Sequence, residues 1–290
     1  NYMPELPEVE VVKKSLDKAV TNKTIKKIKI FDGNLRYKVN KMDASKINGL
    51  KILKIKRRSK YLIFFFNKDQ AMLVQLGITG KFLIMKKNDF KQKTSFYYEI
   101  NKISSKHDRL EFTFTNKLQL IYNDIRKFGF IKFFPSNDLS KNSHLSLLGP
   151  EPLEANFNIT YFKKYLVGRK RNIKDLLMDQ KFVSGIGNIY ANEILFLSKI
   201  LPNRKVSSLK LKELKKLLTF TKKVLKKAIF LGGSSIKDFS NVSGKKGKFQ
   251  QVFNVYGKIG QNCSNSDCTG LIKKIVIAKR ASFLCPKCQK

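Results

Sequence analysis

Three short stretches of this sequence carry residue types that can do chemistry. Pro4-Glu5-Leu6-Pro7-Glu8 gathers two carboxylates and two prolines within five residues after Met3. Read by itself, the segment caps a helix, because the positive end of the backbone dipole favours acidic side chains in a first turn. At the other end, Cys263, Cys268, Cys285 and Cys288 follow the pattern C-x4-C-x16-C-x2-C. Two close pairs flanking a hairpin-sized segment can converge four thiolates on one tetrahedral, structural Zn²⁺; two disulfides or free thiols are the alternative. Between the pairs, Ala278-Lys279-Arg280-Ala281-Ser282 places a lone arginine near a hairpin tip, suited to a phosphate contact or simply to solvent. The third stretch contains Gly185-Ile186-Gly187-Asn188. A Gly-x-Gly turn running into a helix exposes N–H groups to an anion such as a DNA phosphate; a plain helix connection with Asn188 as its cap reads equally well.

Charge narrows what these groups face. Sixty Lys and Arg against 21 Asp and Glu give a formal net charge of +39, an excess that no enzyme of a small neutral substrate needs. A polyanion is the expected partner, and charge alone leaves nucleic acid, an anionic membrane surface and the ribosome open. Nine of the 60 are arginines, at 36, 57, 58, 109, 126, 169, 171, 204 and 280, and these isolated positions say more than the lysine total. The longest uncharged apolar run, Tyr61 to Phe66, falls far short of the roughly 18 to 20 residues that span a bilayer. The start, Asn1-Tyr2-Met3-Pro4-Glu5, has no basic region followed by an apolar stretch, so a cytoplasmic location is expected.

The elements that must position these groups follow from periodicity. Pro7 followed by Val9, Val12, Leu16 and Val20 predicts a first helix beginning at the proline. From Ile25 to Phe134 the pattern changes to short β-rich runs, among them Leu50–Ile52, Tyr61–Phe66, Ala71–Leu76, Phe96–Tyr98 and the alternating Leu110, Phe112 and Phe114. These predict a β-sandwich of about eight strands. Pro150 and Pro152 in a polar stretch place a linker at 137–156. Beyond it the period is helical, in Ile173–Leu177, Ile189–Leu197 and Ser208–Phe230. Leu231 to Gln251 is a Gly, Ser and Lys stretch with little to bury, longer than most internal connections. The expected organisation is an α+β chain: an N-terminal β-sandwich domain with flanking helices over 1–136, a linker over 137–156, a helical domain over 157–251 and a cysteine-bearing β tail over 252–290. No internal repeat is present.

Met3-Pro4-Glu5-Leu6-Pro7-Glu8-Val9-Glu10 is similar to the start of formamidopyrimidine-DNA glycosylases, and further motifs of that family follow in order along the chain. They are Arg57-Arg58-Ser59-Lys60-Tyr61, Leu76-Gly77-Ile78-Thr79-Gly80, Asp124-Ile125-Arg126-Lys127-Phe128-Gly129, Gly149-Pro150-Glu151-Pro152-Leu153 and Gly185-Ile186-Gly187-Asn188-Ile189-Tyr190-Ala191. Gly232-Gly233-Ser234-Ser235-Ile236-Lys237-Asp238-Phe239, Val255-Tyr256-Gly257 and the four cysteines complete the series.

The resemblance implies a β-sandwich, a helix-two-turn-helix domain and a zinc finger, with double-stranded DNA bound in the cleft between the domains. It also implies a bifunctional enzyme of base-excision repair that excises oxidised purines and then cuts the strand at the abasic site. In this family pattern Pro4 is the nucleophile once Met3 is removed. A terminal α-amine has a pKa near 8, more than two units below lysine, so more of it is neutral at pH 7. Its attack on C1′ expels the base and leaves an iminium, and β- and δ-elimination follow. By the same carry-over Glu5 is the acid/base and Glu8 supports the N-terminal site. Lys60 holds a phosphate near the lesion, Asn188 and Arg280 clamp the flanking backbone, and Lys237 lies in a loop that closes over the extruded base. Ile78, Arg126 and Phe128 match the side chains that fill the vacated place in the stack, since a base must leave the stack before C1′ can be attacked.

Three positions depart from the family pattern. Ile78 stands where methionine is usual, and Gln75, still able to donate to a phosphate, where histidine is common. Asn1-Tyr2 precede Met3; an amide-bound Pro4 has no lone pair for Schiff-base chemistry, and removal of the leading residues is expected. Competing readings are an endonuclease-VIII-like enzyme for oxidised pyrimidines, a lesion-binding protein without catalysis, and a zinc-ribbon protein of ribosome or transcription. Leu6 and the pattern around Lys237 favour the purine branch, and a zinc-ribbon protein would leave the N-terminal motif unexplained. A monomer suffices for the mechanism, acting in the bacterial cytoplasm on nucleoid DNA.

Overall fold

Pro7 sits in the first turn of α1 (Leu6–Val20), whose stripe Val9, Val12, Leu16 and Val20 is fully buried. A proline is tolerated there because its missing N–H would have no intrahelical partner in any case. The computed structural model describes residues 3–86, 90–93, 104–234 and 249–290. Their fold divides into two compact units, one formed by residues 1–146 with 231–248, the other by 147–230 with 249–290, counting the described residues of each range.

In the first unit α1 packs on strands β2 (Ile52–Arg58) and β3 (Tyr61–Phe66). With β4 (Gln70–Gln75) and β9 (Phe130–Pro135) these make an antiparallel four-stranded sheet in the order β2-β3-β4-β9. A five-stranded antiparallel sheet runs β1 (Ile25–Ile30), β7 (Asp108–Phe114), β8 (Gln119–Asn123), β5 (Lys81–Lys86), β6 (Phe90–Lys93). Leu62, Phe64, Met72 and Val74 from the first sheet and Phe82, Ile84, Phe112, Leu120 and Tyr122 from the second share one core, as two sheets with one apolar face each require. The unbroken apolar run of β3 has a second cause. Ile63, with Leu73 and Phe130, faces away from that core and is covered by Leu139 and Leu145.

The second unit holds α3 (Ile159–Leu166), α4 (Ile173–Leu177), α5 (Asn188–Ser198), α6 (Leu211–Phe230) and a hairpin of β10 (Lys273–Ile277) and β11 (Arg280–Leu284). α5 is apolar almost all round and buried almost all round; α6 is amphipathic, with Leu214, Leu217, Val224 and Leu225 inward.

Nine strands form among the described residues of the first unit where about eight were expected, and the expected run Phe96–Tyr98 lies outside the described residues. The helix expected from Ser208 begins at Leu211, with Val206–Ser208 forming a 3-10 turn before it. The stretch 137–156 is shared between the units. Leu139 and Leu145 pack on the first, whereas the Gly149 N–H donates to the Gln180 carbonyl (2.8 Å) and the Ser184 N–H to the Pro150 carbonyl (3.0 Å) in the second. Short α2 (Lys41–Ser45) carries no sequence period; Asn40 caps it, accepting from the Met42 and Asp43 N–H groups.

Candidate functional site

The N-terminus of α1 is built from its own first turn. Pro4 is buried, Glu5 is 4% exposed and Glu8 is fully buried. Glu5 and Glu8 close a capping box in which the Glu5 N–H donates to Glu8 Oε2 at 2.9 Å. The other Glu8 oxygen reaches far along the chain, accepting from the Ser234 N–H (2.7 Å) and the Ser234 hydroxyl (3.0 Å). Gly232 and Gly233, just before Ser234, have φ of +81° and +80°, and Gly233 lies against this carboxylate. A Cβ on Gly233 would fall 2.9 Å from Glu8 Oε1, so a side chain is excluded on both counts. The helix start and the start of the Gly-Ser-Lys stretch are thereby one structure. Lys237 lies outside the described residues.

Lys60 sits in the β2–β3 turn, where Ser59 is buried with φ of +55°. Arg57 fixes that turn to the helix. Its Nε donates to Glu10 of α1 (2.7 Å), and its Nη1 donates to the Ser59 carbonyl (3.0 Å). Arg58 pairs with Tyr61, Tyr61 with Gln75, and Gln75 with Phe130 across the sheet, so Lys60, Gln75 and the segment before β9 gather at one end of it.

Two turns meet at that end. Gly77, at φ of +67°, lies so close to the second turn that a Cβ would fall 2.5 Å from the Gly129 nitrogen. Ile78 is half-buried on the first turn; Arg126 and Phe128 are exposed on the second, the guanidinium 4.5 Å from the centre of the Phe128 ring. Asp124, fully buried, joins the turns. It accepts from the Thr79 hydroxyl, from the Gly129 N–H (3.0 Å) and from the Tyr122 hydroxyl (3.4 Å). Burial, with the Asp124 charge, pushes the Tyr122 phenol well above its ordinary value. Burial pushes the Lys81 ammonium down, and Asp124 opposes that shift.

In the second unit Asn188 is the first residue of α5, with Gly187 as N-cap. Asn192 ties it to the hairpin, donating to the Asn188 carbonyl (2.6 Å) and accepting from the Phe283 N–H (2.7 Å). Lys174, 1% exposed, donates to the Ala281 carbonyl (2.8 Å) and the Ser282 hydroxyl (2.6 Å). These contacts hold the hairpin that presents Arg280 to solvent beyond the tight turn Ala278-Lys279, where both φ values are positive. A second buried glutamate, Glu193, accepts from the N–H groups of Asn254, Val255 and Tyr256 and from the Asn254 amide, at 2.8 to 3.0 Å.

The four cysteine sulfurs lie within 4.8 Å of one another, and none is in a disulfide. Cys263 to Cys288 and Cys268 to Cys285 each measure 3.6 Å. Sulfurs at the corners of a tetrahedron around an ion about 2.3 Å away are about 3.8 Å apart, so the donor set fits a tetrahedral metal.

Arg57, Asp124, Thr79, Asn192, Lys174 and Glu193 were not singled out from sequence. Arg57, Asp124 and Thr79 lie inside quoted motifs, but their partners are 45 to 47 residues away for the contacts that matter here.

The family model for the formamidopyrimidine-DNA glycosylase N-terminal domain matches residues 3–131, and that for the formamidopyrimidine-DNA glycosylase H2TH domain matches residues 148–240. The chain is 40% identical over 287 residues to the formamidopyrimidine-DNA glycosylase of Rickettsia felis, covering 99% of this chain and 98% of the relative. It is 39% identical over 289 residues to that of Hydrogenovibrio crunogenus, covering 99% and 97%. Among solved structures, the complex between the Lactococcus lactis Fpg and an abasic-site-containing DNA superposes with a TM-score of 0.84 at 34% identity, covering 99% of each chain. A Lactococcus lactis Fpg variant with a Fapy-dG-containing DNA gives 0.85 at 34% identity, covering 99% and 100%.

Proposed function

This chain belongs to the formamidopyrimidine-DNA glycosylase family, and on that premise we propose how its residues share the family's reaction. It is a base-excision repair DNA glycosylase and AP lyase acting on oxidised purines, and its partner is double-stranded DNA containing oxidised bases or abasic sites. The observation that carries the division of roles is the run of buried residues Pro4, Glu5 and Glu8 at the start of α1, with Glu8 bonded at once to Glu5 and to Ser234.

In our reading Pro4, freed of the residues before it, attacks C1′ with its secondary amine. Glu5 stands next in the chain and moves protons between the sugar oxygen and the departing base. The resulting iminium acidifies the sugar, and β- and δ-elimination cut the strand on both sides. Glu8 touches no substrate atom in this scheme; it sets the Glu5 backbone and the beginning of the segment that carries Lys237. Lys60, held through Arg57, takes a phosphate beside the lesion. Gln75, Asn188 and Arg280 take flanking phosphates, and Ile78, Arg126 and Phe128 fill the gap left by the extruded base.

We assign one structural Zn²⁺ to Cys263, Cys268, Cys285 and Cys288, since four thiolates at tetrahedral spacing match that ion's preferred donor set. When bound, it crosslinks the ends of the hairpin and takes no part in the proton transfers. All proposed roles are met by one chain, so the enzyme acts as a monomer, in the bacterial cytoplasm on nucleoid DNA.

Glu5→Gln tests the scheme. Excision of 8-oxoguanine from a duplex is expected to be abolished while binding measured by gel shift stays close to that of the parent; undiminished excision removes Glu5 from its role. Binding should also weaken steeply with salt, because each phosphate neutralised releases condensed counterions.

A further inference from the structure

The turns that carry Ile78 on one side and Arg126 and Phe128 on the other converge on one buried carboxylate, and we infer that Asp124 is the positioning residue that holds these three side chains in fixed mutual register against the DNA stack. This inference rests on the gap-filling role given to them above.

The bonds reach each of the three. One Asp124 oxygen accepts from the hydroxyl of Thr79, the residue after Ile78. That hydroxyl oxygen accepts in turn from the N–H of Arg126 itself, at 2.9 Å. The other Asp124 oxygen accepts from the N–H of Gly129, the residue after Phe128, at 3.0 Å. Asp124's own backbone is pinned, its N–H donating to the His107 carbonyl (3.0 Å) and its carbonyl accepting from Arg109 Nε (2.8 Å). Arg109 also binds Asp32 (3.0 Å), and Asp32 binds Lys127, between Arg126 and Phe128, at 2.6 Å.

A gap-filling side chain has work to do only when a base is driven out, and the neighbouring base pairs then push back on the turn that carries it. Bonds to an ionised acceptor resist that load about twice as well as neutral ones. Loosening Asp124 should therefore slow base extrusion and leave the chemistry at Pro4 and Glu5 intact.

The test is single-turnover kinetics on two duplexes, one with 8-oxoguanine opposite cytosine and one with an abasic site in its place, where no base has to be extruded. Asp124→Asn and Thr79→Val are compared with the conservative Thr79→Ser, and thermal melting is followed for each. Thr79→Val keeps the buried carboxylate and its bond to Gly129, so it carries the test if Asp124→Asn does not fold. Excision by both variants is expected to slow about tenfold or more, the scale of a lost hydrogen bond to a charged group. Strand cleavage at the abasic site should match the parent, and Thr79→Ser should restore excision. Equal slowing on both duplexes, or normal excision by a folded Thr79→Val, overturns the inference. Arg126→Ala runs alongside: normal excision by that variant would remove the gap-filling role itself, whatever Asp124 does.

Discussion

Two buried glutamates, Glu8 in α1 and Glu193 in α5, each catch main-chain N–H groups of a segment far along the chain, yet they do so differently. Glu193 spends both oxygens on three consecutive residues, Asn254 to Tyr256, the strap that leads into the cysteine hairpin. Glu8 divides its oxygens between the Glu5 N–H at the chain start and Ser234 at the start of the Gly-Ser-Lys stretch. A carboxylate saturated by one segment can only hold that segment in place. One shared by two segments makes the position of each depend on the other. The first arrangement suits a scaffold, the second the role proposed above for the chain start, where Glu5 and Ser234 are placed by one carboxylate.

Metal removal should have the largest effect, and it falls on the scaffold side. A structural metal contributes folding free energy directly, so chelation should unfold the hairpin, abolish amide-exchange protection in residues 271–284 and, through the phosphate contact proposed for Arg280, weaken DNA binding. Protection that survives chelation would mean that Glu193 and Lys174 suffice to hold the hairpin. Glu193→Ala comes next, because it removes the acceptor of four hydrogen bonds, one of them from the buried Val255 N–H. A loss of about 3 to 5 kcal/mol in denaturant unfolding is expected, with excision at low temperature retained in proportion to folded protein. Stability near the parent value in Glu193→Ala would break the contrast from this side.

Glu8→Gln sharpens it from the other. The amide keeps one acceptor oxygen, so one of the two segments must let go, at a cost of about 1 to 2 kcal/mol in stability. Excision should nonetheless fall more than for Glu193→Ala, measured at equal folded concentration; the reverse order would show that Glu8 is scaffold too. The smallest effect belongs to a half-exposed carboxylate. The hydrogen bond from Lys127 holds the Asp32 carboxyl below its ordinary value, with the Asn34 N–H and Arg109 adding to it. A depressed folded-state pKa contributes stability that is present above the unfolded value, about 3.9, and is lost as pH falls through the folded one. Asp32→Asn should therefore lower the melting midpoint slightly at pH 7, and the difference from the parent should vanish on acidification below that range.

Much of the molecule was legible where cause and effect are close in sequence. Pro7 and the stripe from Val9 to Val20 mark α1, because a helix buries what recurs along one face. The cysteine spacing marks the convergence of the four sulfurs in the tail, because two close pairs on a hairpin bring them together directly. β3 reads as a strand, although its apolar run reflects two covered faces, only one of which the sandwich explains. What stayed hidden are partners chosen by the tertiary fold. Arg57 and Glu10 are 47 residues apart, Thr79 and Asp124 45, Glu193 and Asn254 61, and Glu8 and Ser234 226. No local period registers such pairs. Glu8 shows the limit well: its place in a first turn was readable from the motif, and its grip on Ser234 was not.

The chemistry proposed for Pro4 is read directly by borohydride trapping on an 8-oxoguanine:cytosine duplex, with the adduct located by mass spectrometry after digestion. A covalent adduct is expected on the nitrogen of Pro4, in protein whose chain begins at that residue. An adduct on Lys60 or another lysine, or no adduct from protein that begins at Pro4 and binds the duplex, would contradict it.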